Sequence, residues 1–179
     1  MANSAPASTL EVRRLRAVTE AQLQELADVL VDCVEGGASV SFMQPMTRDK
    51  ALAFWRKVAD GVERGERALL VAEDAQGIVG TVQLVLELTE NQPHRADVAK
   101  MLVHRRARRQ GAGDALMRAA EAAALEERRT LLVLDTADDT AKRLYERLGW
   151  KMVGTIPRYA LRPQGGECAT TFYYRSLAD

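Results

Sequence analysis

The sequence predicts a mixed α/β fold of the α+β type, with helices on both faces of a central sheet. Strand-like and helix-like segments follow one another in the order β-α-α-β-β-β-α-β-α-β-β. Two helices come early, and three consecutive strands in the middle form a meander. With 179 residues, 47% of them hydrophobic, the chain is long enough to bury a core of its own. We expect a flexible tail over residues 1–9 and a single domain over residues 10–179.

Helix caps mark the predicted elements of the first half. An alternating strand over residues 11–18 precedes Thr19 and Gln22, which form a capping box for a helix over residues 20–35. Thr47 caps a second helix that ends near residue 64. The turn Asp74-Ala75-Gln76-Gly77 then separates two apolar runs and predicts a hairpin. The predicted hairpin strands span residues 68–73 and 78–88.

The second half alternates between apolar strands and helices. The predicted strands span residues 98–103, 130–135, 151–156 and 169–176, and the predicted helices span residues 114–127 and 140–148. The long helix carries an apolar face at helical spacing, while residues 131–134 form an uninterrupted apolar run of the kind that buried strands show. No repeat or linker divides this half of the chain.

A glycine turn joins the strand at 98–103 to the long helix. Glycines allow an anion to approach the backbone, and the first N–H groups of a helix lack internal partners. The run of Arg105, Arg106, Arg108 and Arg109 predicts that the anion is multiply charged. A P-loop is excluded because Asp114 follows Gly113 where Lys is required. A dinucleotide fingerprint is excluded because its third glycine position is Leu116.

The remaining pattern, Arg108-x-x-Gly111-x-Gly113, resembles the pyrophosphate loop of the GNAT acetyltransferases. A short helix with a tyrosine, followed by Leu148-Gly149-Trp150, is similar to the second signature of that family. The resemblance implies a mostly antiparallel sheet that splays between its fourth and fifth strands, and acetyl-CoA as the acetyl donor. The cofactor-binding residues that it implies are Met101, Leu102, Val103, Arg108, Arg109, Gln110, Gly111, Ala112 and Gly113. The three strand side chains also fit a plain core role, because the backbone does the binding.

Residues 35–43, which follow the first helix, contain the run Gly36-Gly37-Ala38-Ser39. This segment is similar to the corresponding segment of the tabtoxin-resistance acetyltransferases within that superfamily. The likeness extends over about residues 11–177 and includes the strand end Leu134-Asp135-Thr136. It implies that the acceptor is a small amine, such as a toxin or antibiotic of amino-acid or β-lactam type. The substrate-binding residues that we expect are Glu35, Gly37, Ser39 and Phe42.

Two residues are the candidates for catalysis. Tyr145 occupies the position of the GNAT tyrosine, and a phenol with a pKa near 10 can protonate a departing thiolate at neutral pH. The alternative for Tyr145 is a helix residue packed against the sheet. Asp135 ends a buried strand and is able to take the proton of the amine or orient it. Its alternative role is to cap the following loop.

Composition excludes several other functions. Twenty-five basic and 25 acidic residues give a net charge of zero, which argues against nucleic-acid or membrane binding. The only cysteines, Cys33 and Cys168, form neither a disulfide framework nor a metal cluster, and no metal is expected. Cys33 is expected to be core packing, and no cysteine is expected in the site, so an acyl-enzyme is not indicated. The N-terminus lacks a signal-peptide pattern, so we expect a cytoplasmic protein.

The sequence therefore predicts an acetyl-CoA-dependent N-acetyltransferase acting directly on a small-molecule amine, with antibiotic resistance as its implied role. One alternative is a protein or peptide N-acetyltransferase, which requires an open acceptor groove. Another is a non-catalytic acetyl-CoA-binding regulatory domain, against which the presence of both Tyr145 and Asp135 argues. The sequence leaves open whether the protein forms a homodimer.

Overall fold

Seven strands form one sheet in the computed structural model, which describes residues 10–178. The predicted tail over residues 1–9 lies outside the described residues. The strands are β1 (Glu11–Leu15), β2 (Arg67–Asp74), β3 (Gly77–Val85), β4 (Arg95–Val103), β5 (Leu131–Thr136), β6 (Lys151–Leu161) and β7 (Glu167–Ser176). The helices are α1 (Glu20–Glu35), α2 (Arg48–Glu63), α3 (Ala112–Glu126) and α4 (Asp139–Arg147). A single 3-10 turn, Arg105–Ala107, joins β4 to the glycine turn.

The sheet has the strand order β1-β2-β3-β4-β5-β7-β6. Five of the neighbouring pairs are antiparallel, and β4 with β5 is the parallel pair. The parallel pairing arises because α3 carries the chain back across one face of the sheet before β5 begins. The predicted mixed, mostly antiparallel sheet is therefore confirmed.

The parallel pair splays apart. Strands β4 and β5 share only the partners Arg95↔Leu131, Ala96↔Leu132 and Asp97↔Val133. Beyond them β4 continues to Val103 and β5 to Thr136 without pairing with each other, while β5 stays paired with β7. The divergence opens a wedge in the middle of the sheet, as the family resemblance implied.

Helices cover both faces of the sheet, as predicted. One buried cluster joins α1 and α2 to the sheet and includes Trp55, which is fully buried. The other joins α3 and α4 to the opposite face and includes the fully buried Tyr173. Burying a large apolar side chain stabilises a fold by about 1.5–3 kcal/mol, so the two clusters fix the helices against the sheet.

Several predicted boundaries were wrong, including the ends of β1, at Leu15 rather than residue 18, and of β3, at Val85 rather than residue 88. Strand β4 begins at Arg95 rather than near residue 98, and α3 begins at Ala112 rather than at residue 114. Strand β6 runs to Leu161 instead of ending near residue 156. Apolar and polar residues do not alternate along the last part of β6, because β6 is an exposed edge strand. Its register with β7 also shifts between Ile156 and Ala160.

Within residues 10–178, no helix combines the length and the apolar character that crossing a membrane requires.

Candidate active site

The wedge between β4 and β5 opens into a cavity of about 740 Å³. Residues 98–103 of β4 form one wall, and residues 134–138 at the end of β5 form the other. The glycine turn before α3 lies at one end. Of the segment after α1, Gly36 lies near Arg108, which precedes that turn, and residues 37–41 extend toward the β6–β7 hairpin at the other end. We call these the donor end and the acceptor end, because the predicted cofactor residues and the predicted substrate residues fall at them respectively.

The donor end presents free backbone N–H groups. Gly111 precedes α3 with φ 82°, a left-handed conformation that favours glycine, and a Cβ added there would meet no atom within 4 Å. No side chain caps α3, although Thr19, Thr47 and Asp138 cap the other three helices. The first amides of α3 are therefore available to an anion, which the helix dipole also favours.

The exposed edge of β4 lies beside these amides. Because pairing with β5 ends at Asp97, the edge of residues 98–103 that faces the wedge has no strand partner. Met101, Leu102 and Val103 line the cavity there. A β-bulge interrupts the opposite edge, where the register with β3 shifts between Thr81 and Gln83. An extended ligand arm can pair with such a free edge as an additional strand would.

The four arginines separate into two pairs. Arg105 forms an ion pair with Asp32, and Arg106 forms one with Asp74. Arg108 and Arg109 line the cavity, and Arg108 Nε donates to the Val103 carbonyl at 3.3 Å. Two of the four arginines are therefore neutralised by carboxylates of α1 and of the end of β2, and the other two are left at the cavity.

The glycine turn contains residues with different roles. Gly113 lies against α4, since a Cβ there would be 3.0 Å from Leu144 Cδ2. Ala112 is buried and lines the cavity. Gln110 is not among the lining residues, and its side-chain amide donates to the Arg106 carbonyl at 3.0 Å.

Tyr145 lines the cavity from α4. Only 5% of the residue is exposed, and its ring packs at 5.9 Å between centroids against both Trp150 and Tyr173. Burial raises the pKa of Tyr145 strongly, and the negative charges of Asp138 and Asp135 raise it further. The phenol therefore keeps its proton at neutral pH, so it is a potential donor and not a base.

Asp135 lies on the wall of the cavity that β5 forms. Its carboxylate accepts a hydrogen bond from the Thr170 hydroxyl of β7 at 2.8 Å, which fixes its orientation. Strand β5 continues one residue beyond it, to Thr136. The cap of α4 is Asp138, whose carboxylate accepts from the Ala141 N–H at 2.7 Å, so Asp135 has no capping role there.

Residues 36–41 form a strap over the acceptor end. Ser39 Oγ lies 3.7 Å from Cys168 Sγ of β7, and the Gln44 N–H donates to the Pro163 carbonyl of the β6–β7 turn at 2.9 Å. Of the residues predicted to bind substrate, Gly37 and Ser39 line the cavity. Glu35 and Phe42 do not: the Glu35 carboxylate accepts from the Met46 N–H at 2.7 Å, and Phe42 packs edge-to-face on Phe54.

Several residues of the cavity wall lie outside the set that the sequence predicts. Both cysteines line it, which corrects the expectation that no cysteine lies in the site. Cys33 is nevertheless buried, as expected, and burial raises the pKa of its thiol to about 11. Residues 158–160, where the sequence departs from the tabtoxin-resistance group, were expected near the acceptor pocket, and Tyr159 and Ala160 do reach the cavity from within β6. Lys100 also lines it, and its only sequence signal was a lone charge inside an apolar strand.

Comparison with known proteins supports the same site. A family model described as an acetyltransferase (GNAT) domain matches residues 65–152. This range runs from β2 to the start of β6 and so contains the free edge of β4, the glycine turn and Tyr145.

Solved structures share the fold over almost the whole chain. The protein yncA from Salmonella typhimurium, assigned as an acetyltransferase and solved with its cofactor acetyl-CoA, is 15% identical, with a TM-score of 0.78 and 96% of each chain covered. A ribosomal-protein-alanine N-acetyltransferase from Brucella melitensis is 22% identical, with a TM-score of 0.79 and 93% of this chain and 99% of that chain covered. A protein assigned as a phosphinothricin N-acetyltransferase is 17% identical, with a TM-score of 0.77 and 96% and 100% covered.

The donor end fits acetyl-CoA. A pyrophosphate suits this end, which offers the uncapped amides of α3, the left-handed Gly111 with free space around it, and two arginines that line the cavity. The free edge of β4 suits the extended pantetheine arm of the cofactor. The named acceptors of these neighbours range from a protein to a small molecule, so the shared fold leaves the acceptor class open.

Proposed function

This chain belongs to the GNAT acetyltransferase family and uses acetyl-CoA, and from that premise we propose that it transfers the acetyl group directly to the amine of a small molecule. The observation that carries the proposal is the strap over residues 36–41. The strap follows α1 and contacts β7 through Ser39, and Gln44 just beyond it hydrogen-bonds to the β6–β7 turn, so the strap covers the acceptor end of the cavity. A covered pocket suits a small acceptor, whereas a long peptide needs an open groove.

The chain's own groups supply each part of acetyl transfer. Acetyl-CoA supplies the activated acetyl group as a thioester. The N–H groups of residues 101–103 that face the wedge are suited to donate to the thioester oxygen, where negative charge develops. Asp135 accepts a proton from the acceptor amine, directly or through water, as the new C–N bond forms. Tyr145 gives its proton to the sulfur as the C–S bond breaks, and its raised pKa keeps that proton available.

Direct transfer is favoured over an acyl-cysteine route, although both cysteines line the cavity. A cysteine attacks as its thiolate, and burial raises the pKa of Cys33 to about 11. Its Sγ donates to the Val103 carbonyl at 3.6 Å, which holds the proton on the sulfur. Cys168 is buried beside Ser39 and has no neighbouring general base among its hydrogen-bond partners in residues 10–178.

Thiol release from acetyl-CoA tests the proposal. The acceptors to compare are free amino acids, β-lactam amino acids, aminoglycosides, polyamines and peptides. We expect turnover with at least one small amine and a much lower kcat/KM with peptides. Turnover of proteins and long peptides alone would favour a peptide N-acetyltransferase. Acetyl-CoA binding without turnover on any acceptor would favour a regulatory domain.

We extend the proposal to the physiological role, which is inactivation of a toxin or antibiotic. A covered pocket for a small amine suits inactivation of a toxin or antibiotic, as the resemblance to the tabtoxin-resistance group implied. A cytoplasmic location and a homodimer stay predictions beside it. Growth of cells that express the chain, challenged with amino-acid and β-lactam antibiotics, would separate a resistance role from a metabolic one.

A further inference from the structure

Lys100 has an unusual backbone. It lies at the β-bulge of β4 with φ 51°, and its ammonium donates to the hydroxyl of Ser41, whose φ is 78°. Both angles are in the left-handed region, which residues other than glycine seldom adopt. Two strained residues from distant segments are thus joined by one hydrogen bond of 3.1 Å. Such strain persists where the surrounding structure enforces it, and it concentrates at functional sites.

The surroundings of Lys100 leave its charge without a counter-ion. Its Nζ lies 5.9 Å from the ring centroid of Phe42 and 5.7 Å from that of Phe54. Within residues 10–178 its hydrogen bond goes to a neutral hydroxyl, and no ion pair includes it. Burial and the positive charge of Arg67 lower the pKa of Lys100, while the carboxylate of Asp135 acts in the opposite direction.

Lys100 and Asp135 lie on the two diverging strands. Lys100 lines the β4 wall and Asp135 the β5 wall of the same cavity, beneath the strap. The acceptor end therefore carries one cation and one anion on opposite sides. This arrangement complements a molecule that carries an ammonium and a carboxylate a short distance apart. A bound carboxylate would supply the counter-ion that Lys100 lacks.

We propose that Lys100 is the residue that binds the carboxylate of the acceptor, and hence that the acceptor is an amino acid or an amino-acid-like zwitterion. This inference rests on the proposed function. Asp135 receives the amine and Lys100 receives the carboxylate, with Ser41 holding the ammonium in place. Lys100 thus acts as a specificity-determining residue and takes no proton in the reaction.

Matched acceptors test this role. Glycine, L-alanine and L-methionine are each compared with the corresponding carboxamide, which keeps the amine and removes the negative charge. The variants are Lys100→Met, Lys100→Arg and, as a control on the exposed face of α2, Lys57→Met. We expect the wild type to prefer the acids, and Lys100→Met to lower kcat/KM for them by about 10- to 100-fold, the effect of losing a hydrogen bond to a charge. Turnover of the carboxamides should not change, and Lys100→Arg should retain part of the preference.

A binding measurement separates this inference from the proposed function. Calorimetry compares N-acetylglycine with N-acetylglycinamide on the enzyme saturated with CoA, which requires no turnover. We expect the acid to bind better to the wild type and to Lys57→Met, and this preference to disappear in Lys100→Met. Equal binding of acid and amide by the wild type, or a preference that survives in Lys100→Met, overturns the inference even if small amines are acetylated. Absence of turnover with every small amine overturns the proposed function instead.

Unchanged circular dichroism and unchanged acetyl-CoA affinity show that Lys100→Met keeps the fold and the donor end intact. If Lys100→Met lowers kcat/KM equally for acids and carboxamides, Lys100 has a structural role at the bulge and the inference fails.

Discussion

The two ends of the cavity are built from different parts of the chain. The donor end consists mainly of backbone: the free edge of β4, the left-handed Gly111 and the uncapped amides of α3, all within residues 98–113. The acceptor end consists of side chains that come from the strap, β4, β5 and β7. Backbone groups are present whatever the side chains are, so a donor end can persist while the acceptor end diverges. The contrast explains how one fold serves acceptors as different as a protein and a small molecule.

Tyr145, which lines the cavity that both ends share, should show the largest effect. We expect Tyr145→Phe to lower kcat by between about 10² and 10⁴ with little change in KM, because the ring stays and only the proton donor is lost. Since burial raises its pKa, the wild-type kcat should show no loss of this acid below about pH 10.

Tyr173→Phe is the matched control for Tyr145. Tyr173 is buried in the same aromatic cluster, and its hydroxyl donates to Glu146 at 2.8 Å outside the lining of the cavity. Removal of that hydrogen bond should lower the free energy of unfolding by about 1 kcal/mol and leave kcat within about threefold. If both variants lower kcat equally, Tyr145 packs the core and does not donate a proton.

Asp135 tests the acceptor end alone. Asp135→Asn should lower kcat/KM for the amine by about 10- to 100-fold, less than Tyr145→Phe because water can accept the proton instead. Acetyl-CoA affinity should stay the same, and higher pH should restore part of the rate by supplying free amine. Kinetics across pH, together with calorimetry for acetyl-CoA, measure both effects.

Asp138→Asn removes a carboxylate from the same wall and serves as the control. Asparagine caps a helix about as well as aspartate, so α4 should keep its stability and the enzyme its activity. Full activity of Asp135→Asn across pH would exclude a role for Asp135 in handling the amine.

The arginines test the donor end, with a smaller expected effect. Arg109→Ala removes a cation from the cavity wall and should weaken acetyl-CoA binding by about 10-fold. Arg106→Ala removes a cation that is already paired with Asp74, and should weaken binding by about twofold at most. Calorimetry with acetyl-CoA at a fixed salt concentration measures both. Equal losses would mean that the general positive field, and not position on the wall, determines affinity.

The cysteines should show the smallest effect. Cys33→Ala near the donor end and Cys168→Ser near the acceptor end should each keep kcat within about threefold, because direct transfer uses no thiol nucleophile. Since the pKa of Cys33 is raised to about 11, its alkylation by iodoacetamide should be slow at neutral pH and accelerate as the pH approaches that value. Loss of activity in either variant, with trapping of an acetylated cysteine by mass spectrometry, would replace direct transfer with a two-step route.

The sequence by itself determined the local features. The capping box of Thr19 and Gln22, the cap at Thr47 and the glycine turn before α3 all act within a few residues, so short patterns specify them. The donor end was predictable for the same reason. Its amides and glycines are contiguous in the chain, and their chemistry does not depend on a distant partner. The mixed sheet also followed from the order of the elements.

Only the tertiary structure decided which arginines beside the donor end stay free, and how the acceptor end is built. Nothing near Arg105 or Arg106 in the sequence indicates that Asp32 and Asp74 neutralise them, and nothing near Cys168 indicates that it lies beside Ser39. Lys100 faces a cavity because β4 and β5 stop pairing after Asp97 and because the strap folds over the gap. These contacts join residues far apart in the chain. Their energies depend on how whole elements pack, which no local pattern encodes.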